Sequence, residues 1–101
     1  MKDPVSVRSV EFHFTPVGGH YDGTAISSAL TLTPVSDATK ILIQALTQNV
    51  RFTLDGTTPT ATKGFQLCVG DPPVLIPVTS GTTLKVIEET AGADVQYQWG
   101  K

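Results

Sequence analysis

Residues 49–67, NVRFTLDGTTPTATKGFQL, decide how this chain is read. Val50, Phe52 and Leu54 alternate with Arg51 and Thr53, the period of a strand with one face buried. Asp55-Gly56 then marks a turn, because glycine accepts a positive φ and an aspartate side chain bonds its own downstream backbone. Pro59 holds the loop extended, and alternation resumes through Phe65, Leu67 and Val69. The stretch reads as strand, decorated turn, strand. Asp55, Gly56 and Pro59 form the structural turn, and Thr57 and Thr58 are candidate partner contacts at its tip.

The period of two continues on both sides. In SVEFHF, Val10, Phe12 and Phe14 share a face opposite Glu11 and His13. Pro16 and GGHYDG interrupt that run and read as a turn or exposed loop, with Tyr21 as an aromatic candidate for partner contact. Leu30 and Leu32 alternate with Thr31 and Thr33 until Pro34. SDATKILIQAL is ambiguous at first. Ser36 or Asp37 suits a helix cap, but β-branched Ile41 and Ile43 in a short apolar run favour a strand from Lys40 to Leu46, buried on both faces. Pro77 demotes VLIPV to an edge strand. LKVIEE and VQYQW complete the set, the latter with Val95, Tyr97 and Trp99 in one phase and closing the core.

Short strands punctuated by turn clusters predict an all-β fold. The expected architecture is a single β-sandwich of about eight antiparallel strands over residues 1–101, either a jelly roll or immunoglobulin-like, with residues 1–6 as a docking arm.

Charged residues make up only 16% of the 101, below the usual ~25%, as suits neutral strand faces or a surface covered by a partner. Net charge is −2, and Lys2, Arg8, Lys40, Arg51, Lys63, Lys85 and Lys101 are dispersed. No basic stripe is present to neutralise phosphates, so a nucleic-acid partner is not expected. Cys68, the one cysteine, has no intrachain partner and reads as a small core hydrophobe. The N-terminus lacks an apolar signal region, and no apolar run approaches the roughly 18 residues of a membrane span. Synthesis in the cytoplasm, with no membrane partner, is the expectation.

Reaction chemistry finds no pattern here. His13 and His20 lack metal-ligand spacing, no serine lies in a G-x-S-x-G elbow, and DGTTPT lacks the alternating oxygen ligands of a calcium loop. Glu88 and Glu89 are adjacent in a strand and point to opposite faces, so they cannot flank one bond. No catalytic, cofactor-binding or metal residue is predicted, and no enzyme activity is expected. Tyr97 and Trp99 are spaced as a sugar-stacking platform would be, although the shared phase with Val95 favours the core.

Two resemblances enter through these residues. VRFTLDGTTPTATKGFQL with the later GTTLKVI is similar to immunoglobulin-like modules of sugar-cleaving enzymes. Thr53, Asp55, Gly56, Pro59, Thr60, Gly81, Thr82 and Thr83 match, and Phe52 stands in place of the usual tyrosine. Over residues 40–101 the chain resembles small virion proteins of tailed bacteriophages, including the Tyr-x-Trp-Gly ending at Tyr97, Trp99 and Gly100. The second resemblance implies a non-enzymatic structural protein made in the host cytoplasm and located in the virion. It would be a capsid decoration (cement) protein, or a tail or head-fibre accessory. The implied partners are the major capsid protein or another virion protein, and the chain's own copies in a homotrimer. The first resemblance implies a carbohydrate-binding or immunoglobulin-like accessory module, with a glycan as the alternative partner.

Overall fold

The computed structural model describes residues 13–24 and 26–101. Eight strands follow in chain order: β1 (Pro16–Gly23), β2 (Leu30–Leu32), β3 (Lys40–Leu46), β4 (Val50–Thr53), β5 (Phe65–Leu67), β6 (Val74–Pro77), β7 (Leu84–Glu88) and β8 (Asp94–Gly100). They form two four-stranded antiparallel sheets, ordered β1-β8-β3-β6 and β2-β7-β4-β5. The β-sandwich expected from the sequence is what the chain builds.

Strand order separates the two topologies that periodicity left open. β1 pairs with β8, β2 with β7, β3 with β6, and β4 with β5. Those are the pairings of one long antiparallel ribbon folded at its midpoint. The β3–β8 and β4–β7 ladders then roll the ribbon into two layers. This is a jelly roll and not the immunoglobulin order. β4 and β5 are the only consecutive strands that pair among the described residues. The stretch quoted at the outset is therefore the closed end of the ribbon.

The core lies between the layers and is built from alternate positions. Ile41, Ile43, Ala45, Val95 and Trp99 come from one sheet; Leu32, Val50, Phe52, Leu67, Leu84 and Val86 come from the other. Trp99 is 1% exposed, edge-on to Tyr97 with ring centroids 6.1 Å apart.

Several expectations need correction. The strand placed on SVEFHF and the arm at residues 1–6 fall on residues outside those described, apart from His13 and Phe14. These two precede β1, and the Phe14 ring lies over Gly100, where no side chain fits. Thr15 and Lys101 exchange backbone hydrogen bonds of 2.8 and 2.9 Å, and Lys40 Nζ donates to the His13 carbonyl.

GGHYDG is strand and not loop. The Gly-rich run pairs with β8 from His20 to Gly23, after a register shift that uses Gly18 at φ +75° as a bulge. Gly23 faces inward because a Cβ there would sit 2.9 Å from Val95 and 3.1 Å from Leu30. β3 is not buried on both faces: Ile41, Ile43 and Ala45 are buried, while Leu42, Gln44 and Leu46 are half-covered. Cys68 is half-buried at the end of β5, not in the core. Phe65 and Val69 share the phase of buried Leu67 yet are 65% and 45% exposed: Phe65 lies on β5, an edge strand without a neighbour to cover it, and Val69 lies past the end of β5 in the turn that follows. Thr53, expected to face solvent, is 8% exposed because the turn folds back over it. The corner between β3 and β4, residues 47–49, turns through Thr47 at φ +70°, an unusual value for a β-branched residue.

Candidate functional site

The hairpin tip is held from both ends. Asp55 Oδ1 accepts the Thr57 backbone N–H at 3.0 Å, closing an Asx turn around Gly56 at φ +89°. The Gly56 N–H donates to the Thr83 carbonyl, and the Thr83 N–H donates to the Leu54 carbonyl, tying the turn to the strand entering β7. Thr53 Oγ1 donates to the Thr57 carbonyl at 2.5 Å. Pro59 is fully buried beneath the tip. Thr60 and Lys63 exchange backbone bonds of 3.0 and 3.2 Å and narrow the loop before β5.

These bonds leave a groove of about 490 Å³ beside the tip, lined by Thr53, Asp55, Thr57, Lys63, Gly64 and Phe65. The Phe65 ring leans on Phe52, with centroids 5.5 Å apart at 43°, and presents its other face to solvent. The Thr57 backbone N–H, then the Thr57 hydroxyl, and more weakly the charge of Lys63 hold the Asp55 carboxyl below its ordinary range. The groove thus joins an aromatic face, a firmly ionised carboxylate and an ammonium.

Below the tip, on the outer face of the β2-β7-β4-β5 sheet, Arg51 clamps three segments. Its Nε donates to Glu89 Oε2 at 2.5 Å and its Nη1 to the Gly64 carbonyl at 2.9 Å. Gln66 Nε2 donates to the same Glu89 oxygen at 2.7 Å. Desolvation pushes the Glu89 carboxyl upward, but the bonds from Arg51 and Gln66 and the guanidinium charge together outweigh it and hold the group below its ordinary range.

The sequence-derived residues divide between two places. Asp55 and Thr57 line the groove, Gly56 and Pro59 shape the turn beside it, and Thr58 lies exposed on the tip. Tyr21 lies away from them, on β1 at the edge of the other sheet. Its ring is 40% exposed and stacks on Tyr97, with centroids 5.4 Å apart at 23°. Burial chiefly, then the nearby Tyr21 and Asp22, push the Tyr97 hydroxyl upward. Phe65 and Lys63 were missed as site residues. Phe65 had the phase of a core residue, and only the strand order reveals that it sits at an edge. Among the described residues no three His, Cys, Asp or Glu side chains gather as a metal site would need. No helix among them is long and apolar enough to cross a membrane. No family model, curated protein or solved structure matches this chain.

Proposed function

We propose that this chain is a non-enzymatic structural protein of a tailed-phage virion, a decoration protein that docks on the assembled head. The observation that carries the reading is where the resemblance falls. Residues 40–101, similar to small virion proteins, form β3 to β8 and so supply six strands spread over both layers. A jelly roll is also an architecture that viral capsid domains use. Among the described residues, the two carboxylates with altered acidity are committed to holding loops in place, Asp55 at the tip and Glu89 in the Arg51 clamp. Docking needs no chemistry to be effective. A protein that binds only the assembled shell stabilises it by RT ln(1 + [L]/Kd) per site, about 2.7 kcal/mol at a hundredfold excess over Kd. Cosedimentation with purified heads and tails of the parent particle tests the reading. Saturable binding to heads is expected, and binding to neither particle overturns it.

A second reading, saccharide binding, is favoured by the exposed Phe65 ring beside Asp55 and Lys63. The Tyr97–Trp99 platform does not support it, since Trp99 is in the core. If the groove binds sugar, a glycan array gives signal that Phe65→Ala abolishes. A blank array for the intact chain removes this reading.

A further inference from the structure

β1 has no neighbour beyond its outer edge among the described residues, and its sequence is self-complementary about Tyr21. We propose that a second copy of this chain docks there, β1 against β1, antiparallel about a two-fold axis through Tyr21.

The edges of the sandwich are not equivalent. β2 and β5 are three residues long, and β6 is closed by Pro77 and preceded by Pro72 and Pro73. Short strands and prolines blunt an edge. β1 runs eight residues, and Pro16 and the Gly18 bulge both lie near its start, so its unpaired backbone groups from Gly19 to Gly23 remain a template for another strand.

The side chains select the partner and the register. With Tyr21 opposite the partner's Tyr21, His20 faces the partner's Asp22, and Asp22 faces the partner's His20. One chain thus supplies both halves of two complementary cross-strand pairs, as an isologous interface requires. His20 and Asp22 share the outer face, since Gly23 and Tyr21 are in the inward phase, and there His20 Nε2 is bonded to Gln96 Oε1 at 2.7 Å, which leaves Nδ1 to meet the partner's Asp22. Gly19 falls opposite the partner's Gly23, so no side chains collide. Moving the axis to His20 or to Asp22 sets like groups opposite each other and loses the pairing. On the inner side, Tyr21 already stacks on Tyr97 and has its remaining surface free for the partner's ring.

Five paired residues make a small interface, so the dimer is expected to be weak and to form between about 10 μM and about 1 mM. Sedimentation equilibrium over that range should give a mass rising from 10.7 kDa toward twice that value. H20D and D22K should each weaken the dimer by about tenfold or more, because H20D sets carboxylates opposite one another twice and D22K twice replaces the carboxylate opposite His20 with an ammonium. The double variant H20D/D22K should restore it, with melting temperatures of all three near that of the parent. A monomer throughout the range overturns the proposal, and so does a trimer. A dimer indifferent to the single variants, or one that the double variant fails to rescue, overturns it equally.

Discussion

Alanine at Gly64 should cost more stability than alanine at Gly56, and the difference reports how tightly the hairpin tip is closed. Gly56 has φ +89°, and a Cβ there would meet only Thr83 side-chain atoms at 3.7 Å, an ordinary contact. The penalty is then that of left-handed backbone, about 1–2 kcal/mol. Alanine's smaller unfolded-state entropy offsets about 0.4–1 kcal/mol of it, leaving a net loss of about 1 kcal/mol. Gly64 is held differently. Its φ is +127°, well past the left-handed well, and a Cβ would lie 2.9 Å from the Phe52 carbonyl oxygen and 3.2 Å from the Phe52 nitrogen. Both atoms belong to β4, which is fixed by its ladders to β5 and β7. Backbone strain of about 1–3 kcal/mol and forced displacement of about 1–3 kcal/mol combine to a loss of roughly 3–4 kcal/mol. For a domain of this length each kcal/mol moves the melting temperature by about 4–8 °C. Gly56→Ala should therefore melt about 5 °C low and Gly64→Ala about 15–20 °C low, read by circular dichroism and cross-checked by urea titration. A Gly64→Ala variant at least as stable as Gly56→Ala would refute the tip geometry.

Trp99→Ala, which empties the largest fully buried side-chain position, should lose about 3–5 kcal/mol by urea titration. Thr53→Val removes the donor to the Thr57 carbonyl with little change of shape, and should cost about 1 kcal/mol while raising hydrogen-exchange rates across the tip. Glu89 should make stability acid-sensitive. Its folded pKa is held below the ordinary value, so its contribution is complete above about pH 4.3 and is lost as pH falls through the lower folded value. Melting curves from pH 6 to pH 2 should show a shallower acid decline for Glu89→Gln than for the parent. Equal slopes would mean that the Arg51 clamp does not couple to folding.

Local periodicity carried most strand positions, because alternation along a single strand reflects only whether one face is covered. Lys40 to Leu46 was legible for that reason, as were Val50 to Thr53 and the run ending at Trp99. What periodicity cannot encode is which strand lies alongside, and the misplaced residues share that cause. Phe65 and Val69 have a core residue's phase, but β5 ends its sheet and stops at Leu67, so the Phe65 ring and the Val69 methyls meet solvent. GGHYDG carries every local mark of a turn, yet β8 offers it a ladder in which Gly18 bulges and Gly23 slips under Leu30 and Val95. Thr53 follows its strand's polar phase, and only the returning turn encloses it. The groove inherits this dependence: Asp55 and Thr57 could be picked out as turn residues, but the aromatic wall was hidden in the phase of the core. A jelly roll sharpens the effect, because a single hairpin is local and every other described pairing joins strands distant in sequence. Surface chemistry in such a fold is decided by edges, and edges are a property of strand order.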